Sequence, residues 1–184
     1  MNTKMKHRII VIIFLTMSLT NVKSQTNENI HLDNAEIGQR NEQIAFLLRA
    51  KRATYAGHGT EVASSRPSSH DLRYEETPYL YIDTYLGETH FAGEEAMWKD
   101  GTPIWSMNYY GQVIGEGFEG DFLKEALYRA TPEAPYRGPE LFTKGEFTYR
   151  CVVHGEFTGF NGEETIEKNG KVIYHCQFHG GKIR

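Results

Sequence analysis

Asn169-Gly170 sits between two runs of alternating residues and constrains this chain more than any other dipeptide. Both central positions of a type I′ turn need positive φ, which Asn and Gly adopt at low cost, so the pair predicts a two-residue hairpin. The turn sets a register. Lys168 falls opposite Lys171, Ile166 opposite Ile173, Glu164 opposite His175, and Cys176 opposite Glu163. A strand over 147–154 joins a strand over 156–167 at Gly155, which sets Cys151 opposite Phe160. The only two cysteines then lie two strands apart, roughly 9–10 Å. A disulfide needs Cα atoms within about 7 Å, so free thiols are expected.

The first half of the chain reads as more of the same sheet. Strands over 70–75 and 79–86 flank the turn Glu76-Thr-Pro78. Gly87-Glu88 leads into a strand over 89–99, and Asp100-Gly101 into another over 104–110. Four strands joined by short turns form an antiparallel meander. Ile37, Ile44, Leu47 and Leu48 recur at helical spacing and predict a helix over 35–53, stopped by Tyr55-Ala-Gly57 and Gly59. A second helix over 121–130 ends at Thr131-Pro132. The two prolines of 133–139 forbid regular structure there. Residues 58–69 have no apolar period; a loop of that length either lines a site or is a disordered excursion. The fold class expected is α+β: a curved antiparallel β-sheet of about seven strands with two helices on one face, one domain over 35–184.

The start of the chain has a different character. Lys4, Lys6 and Arg8 precede the apolar run 9–15, and Val22 and Ser24 are small. That order predicts a secretory leader over 1–24, cut before Gln25, with a flexible polar segment over 25–34. The leader holds four basic residues and no acid, so its removal takes the net charge from −4 to about −8. A mature chain so acidic does not attract polyanions, which excludes nucleic acid as an expected partner. No Cys follows the apolar run to carry a lipid, so no membrane anchor is expected after cleavage. The protein is expected to be secreted or periplasmic.

Candidate chemistry gathers on the strands. In 79–86, alternation sends Tyr79, Tyr81, Asp83 and Tyr85 to one side. A carboxylate among tyrosines is either bonded to them or turned to a ligand. In 104–110, Trp105, Met107 and Tyr109 read as core, whereas Ile104, Ser106, Asn108 and Tyr110 mix apolar and hydrogen-bonding groups as a pocket wall does. Asp83 and Asn108 are expected in one cavity. Asp83, Glu94 and Glu95 are the candidates for acid–base catalysis, although neighbouring strand acids face apart. Arg137, in the rigid turn Tyr136-Arg-Gly-Pro139, clamps a carboxylate or ties its loop to Asp121 or Glu125, and Arg66 before Pro67 poses the same choice. Arg66, His70, Tyr81, Asp83, Tyr85, Glu94, Asn108, Tyr110 and Arg137 make up the expected ligand-binding set. His175 and His179 share a strand face about 13 Å apart, too far to hold one ion, and no HxH or HExxH spacing occurs, so neither metal nor cofactor is expected.

Several stretches carry a likeness beyond this. They include Phe46-Leu-Leu-Arg-Ala-Lys51, Thr54-Tyr55-Ala56, Ser65-Arg66-Pro67 and Ser69-His-Asp-Leu72. Tyr81-Ile-Asp-Thr-Tyr-Leu-Gly87, Phe91-Ala-Gly-Glu-Glu95 and Trp105-Ser-Met-Asn-Tyr-Tyr-Gly111 follow, then Phe122-Leu-Lys124, Tyr136-Arg-Gly-Pro139 and Phe178-His-Gly-Gly181. With these motifs the chain resembles, from about Ile44 to Ile183, a bacterial family known as domain of unknown function 5680. Some members look like the C-terminal part of proteins that begin with a helix-turn-helix domain, which implies a ligand-sensing or interaction role. In this chain the stretch before the resemblance is the one expected to be a leader.

Three functions remain open from the residues. A binding module for a small molecule or a glycan would use Tyr79, Tyr81, Tyr85, Trp98 and Tyr110 as platforms. A hydrolase or isomerase would use a carboxylate. In a structural or interaction domain these groups would only satisfy one another.

Overall fold

The computed structural model of the protein describes residues 34–183; the expected leader over 1–24 and the polar segment up to residue 33 lie outside them. Of the described residues, those from Ile44 onward form one compact unit. Residues 34–53 are helical and are called α1 here. A 3-10 turn, Tyr55–Gly57, follows, and Thr54 Oγ1 donates to Ala50 O at the helix end.

Four strands come next: β1 (His70–Glu76), β2 (Tyr79–Gly87), β3 (His90–Lys99) and β4 (Thr102–Val113). Helix α2 (Gly120–Tyr128) and an irregular segment lead to β5 (Leu141–Lys144) at the far edge. From there β6 (Phe147–Glu156), β7 (Gly159–Lys168) and β8 (Lys171–Lys182) return, and β8 pairs with β4. The result is one antiparallel sheet of eight strands in the order β1-β2-β3-β4-β8-β7-β6-β5. The α+β class stands as expected, with one strand more than the seven counted from sequence. Strand β5 has only four residues and follows a proline-rich stretch, too short for alternation to show.

The last three strands differ from the expected pairing in two places. A bulge between Ile166 and Glu167 shifts the β7–β8 register by one residue, so Glu164 faces Cys176 rather than His175. The shift lets Ile173 and Tyr174 both be buried. The β6–β7 turn falls at Phe157-Thr158 instead of Gly155. Phe157 is drawn inward: its ring stacks on Trp105 at 5.3 Å, and its carbonyl accepts from Trp105 Nε1 at 3.1 Å. Cys151 therefore also faces Glu164, not Phe160. The two cysteines flank one carboxylate from either side, and both are free and buried.

One face of the sheet carries the core. Phe46, Leu47 and Leu48 of α1 are buried in the same cluster as Tyr79, Met97, Trp105 and Met107, and α2 adds Phe122, Leu123, Ala126 and Leu127. Phe46 stacks on Tyr79 at 5.0 Å, and Phe122 on Phe147 at 5.0 Å. Burial of each such side chain stabilises the fold by about 1.5–3 kcal/mol. Among the described residues no helix is long and apolar enough to cross a membrane.

Candidate functional site

The core face is not apolar throughout. Lys51, Asp83, Glu95, Arg137 and Glu164 are all buried on it. Each is placed by a regular element or a rigid turn. Lys51 lies seven residues after Ile44 and four after Leu47, on the apolar stripe of α1. Asp83 and Glu95 are direct partners across β2 and β3. Glu164 alternates with Phe160 and Ile166 on the inward side of β7. Arg137 is delivered by the buried turn Pro135-Tyr-Arg-Gly138.

Most of these charges satisfy one another. Lys51 Nζ donates to both Glu95 carboxylate oxygens, at 2.8 and 2.7 Å, and to the Tyr136 carbonyl at 2.6 Å. Arg137 donates twice to Glu164 Oε1, from Nε at 3.1 Å and Nη2 at 2.8 Å. Tyr149 and Tyr174 donate their hydroxyls to Glu164, and Gly138 N–H donates to the Tyr149 oxygen. Arg137 Nη1 stands 3.5 Å from Glu95 Oε1. Burial, then the charge of Glu164, pushes both cysteine thiols up to about 12, which leaves them unreactive.

Asp83 is the exception. Among the described residues its carboxylate has one hydrogen-bond partner, Tyr109, whose hydroxyl donates to Oδ1 at 2.7 Å. Tyr109 reaches it from β4 by lying across Gly93 of β3. A Cβ at Gly93 would stand 2.4 Å from the Tyr109 hydroxyl, so only glycine permits the crossing. Burial, and next the Glu95 charge, raises the Asp83 pKa to about 7, against the bond from Tyr109 and the charges of Lys51 and Arg137.

Asp83 lines a cavity of about 180 Å³ between the sheet and the helices. Its walls are aromatic and aliphatic, with Tyr55, Tyr85, Phe91 and Phe118 among them, and exposed Gly87 and Glu88 mark its mouth. Of the residues expected from sequence, His70, Tyr81, Asp83, Tyr85, Glu95 and Arg137 line this cavity. His70 stacks on Tyr85 at 4.7 Å and meets Glu61 at 3.0 Å.

The others are elsewhere. Asn108 and Tyr110 are exposed on the opposite face of the sheet, and Glu94 pairs with Asn108 there and accepts from Ser106 at 2.9 Å. Asp83 and Asn108 therefore do not share a cavity. Alternation sorted the side chains of β4 correctly, but the helices cover the face of Tyr109 and leave the gap on that side. Arg66 is exposed and donates to Thr84 Oγ1 at 2.8 Å. Thr84 in turn donates to Asp71, which also accepts from Ser65 N–H at 2.8 Å. The 58–69 loop is thus pinned at Asp71: burial would raise that carboxyl, but bonds from Ser65, Thr84 and Ser69 hold it at about 2. Arg137 ties its turn to Glu164 and Glu95, not to Asp121 or Glu125. Lys51 and Glu164 were missed as site residues. The available signal was a charge on an otherwise apolar stripe, in a helix for one and in a strand for the other.

Among the described residues no group of three or more His, Cys, Asp or Glu could hold a metal ion. The model of a family described as a domain of unknown function, DUF5680, matches residues 83–183, more than half of the 184-residue chain. The match begins at Asp83 and contains Glu95, Tyr109, Arg137 and Glu164, whereas Lys51, His70 and Tyr81 precede it. No curated protein and no solved structure matches the chain.

Proposed function

The chain belongs to the DUF5680 family, and we propose that this member is an exported protein that binds a small molecule in the cavity beside Asp83. The observation that carries the reading is a buried carboxyl with a single hydrogen-bond partner among the described residues, Tyr109, at the wall of an aromatic cavity. A group spent wholly on the fold would be paired like Glu95 and Glu164 are. A carboxyl with a raised pKa, placed in a cleft beside convergent polar groups, is the kind of group that functional sites use. The size sets the ligand. A cavity of about 150 Å³ holds one benzene ring, so about 180 Å³ takes in roughly one ring of a ligand. The basic, apolar and small-residue order of 1–24 supports export.

Native mass spectrometry of protein from its own host tests the binding reading. The parent should retain a small mass that Asp83→Asn loses; a bare parent argues against it. Sequencing of the exported form should begin at or near Gln25, and an intact Met1 confined to the cytosol argues against export.

One observation favours a second reading. A carboxyl of pKa about 7 can take and return a proton near neutrality, as an isomerase or hydrolase base does. In that case the retained molecule is converted on incubation with the parent and not with Asp83→Asn. An unchanged molecule leaves binding alone.

A further inference from the structure

The charges around Asp83 do not balance. Lys51 and Arg137 supply two buried cations, and Asp83, Glu95 and Glu164 supply three buried carboxyls. Lys51 is taken by Glu95 and Arg137 by Glu164, through the bonds given above. Among the described residues Asp83 is the carboxyl of this set left without its own cation, and its one bond is to a neutral hydroxyl.

The cavity in front of it has the character that a cation would need. Tyr55, Tyr85, Phe91 and Phe118 present rings, and Tyr55 and Tyr85 stand edge to face at 5.9 Å. Aromatic faces attract cations through their quadrupoles, most strongly where water is excluded. Two rings of this region already hold one: Arg137 lies 5.0 Å over Tyr109 and Lys124 5.1 Å over Tyr55. The mouth is acidic as well. Glu88 lines it, and Glu61 is bonded to the wall residue His70. Both carboxylates, after burial and Tyr55, act on Tyr85 to hold its phenol protonated. An acidic mouth above an unpaired carboxyl draws cations in and repels anions.

We infer that the ligand of this cavity is a small organic cation, an amine or quaternary ammonium on about one ring, with the Asp83 carboxylate as its counter-ion. The inference rests on the binding reading above. The bound cation makes the third positive charge that the buried set lacks. Binding therefore requires ionised Asp83 and expels its proton. The groups that face Asp83 are Tyr81 and Tyr85 on its own strand, Glu95 from β3, Tyr109 from β4, and Lys51 and Arg137. His70 from β1 and Tyr174 from β8 line the same cavity, with Glu164 behind Arg137.

Calorimetric titration with three one-ring probes tests this: benzyltrimethylammonium, benzyl alcohol and benzoate. The expected order is cation first, at least tenfold tighter than the alcohol, with no benzoate binding. The cation's affinity should rise roughly tenfold from pH 6 to pH 8, following the fraction of ionised Asp83. Asp83→Asn should lose the cation preference and the pH dependence together. Tyr109→Phe, which removes the bond to Asp83, should keep the cation preference and move the pH profile upward, and it carries the test should Asp83→Asn not fold. Preference for benzoate or benzyl alcohol overturns the cation inference and leaves the binding site standing. A pH profile that Tyr109→Phe leaves unmoved also overturns it. Binding of none of the three overturns the pocket reading and the inference with it.

Discussion

Tyr109 donates its hydroxyl to Asp83 across the width of an intervening strand, at 2.7 Å, through a gap that Gly93 leaves open. Among the described residues that contact is the one hydrogen bond of a buried carboxyl whose neighbouring cations pair with Glu95 and Glu164. The bond stabilises the ionised form of Asp83. Tyr109→Phe should therefore raise the Asp83 pKa above about 7 and cost about 1–3 kcal/mol, more at pH 8 than at pH 6. Urea melts at the two pH values check the cost. Equal losses at both would show that the hydroxyl does not act through Asp83.

The Asp83 pKa is higher in the folded protein than in the unfolded chain, so between the two values the native state holds the extra proton. Its contribution is present at low pH and is lost as pH climbs from about 4 to about 7, then levels. Asp83→Asn removes that slope. The variant should match the parent near pH 4 and exceed it at pH 8 by up to a few kcal/mol. Asp71 runs the other way: held at about 2, it stabilises above pH 4, and that stability drains away as pH falls toward 2. Melting curves of the parent, Asp83→Asn and Asp71→Asn across pH separate the two slopes.

Lys51 is the main counter-charge of Glu95. Lys51→Ala leaves a buried carboxylate whose remaining cation among the described residues is Arg137, with Nη1 3.5 Å away. The expected loss is about 3–5 kcal/mol, and adding Glu95→Gln should restore a good part of it. A double-mutant cycle by urea melting checks the coupling. A loss under about 1 kcal/mol would mean that Lys51 and Glu95 do not need each other.

Gly93→Ala puts a methyl against the Tyr109 hydroxyl at 2.4 Å and the Thr84 carbonyl at 2.7 Å. The backbone contact cannot move aside cheaply, so a loss of about 1–3 kcal/mol is expected. If Tyr109 is displaced, the Asp83 midpoint should rise as it does in Tyr109→Phe. Carboxyl NMR of the alanine variant reads that shift directly.

The parts of this fold that are local were legible in the sequence. Asp100-Gly101 and Asn169-Gly170 marked real hairpins, and alternation in 104–110 put Trp105, Met107 and Tyr109 on one side and Asn108 and Tyr110 on the other. What alternation could not say was which side the helices cover. The pocket was expected on the face of Asn108, yet it lies on the core face, where packing of α1 and α2 leaves room at Asp83. The bulge at Ile166/Glu167 was hidden for a similar reason: it answers to the burial of Ile173 and Tyr174, not to the turn that precedes it. Lys51 and Glu164 read as solvated charges in isolation. Their partners, Glu95 and Arg137, are 44 and 27 residues away, and only the folded sheet with the segments packed on it brings them together.

The central claim is that Asp83 is a carboxyl turned to a ligand and not one consumed by the fold. Carbon-13 NMR of aspartate-labelled protein, titrated with and without benzyltrimethylammonium, tests it most directly. The Asp83 resonance, assigned through its absence in Asp83→Asn, should titrate near pH 7 in the free protein and shift its midpoint downward when the cation is bound. A midpoint near 4 that neither this cation nor a neutral one-ring probe moves would contradict the claim.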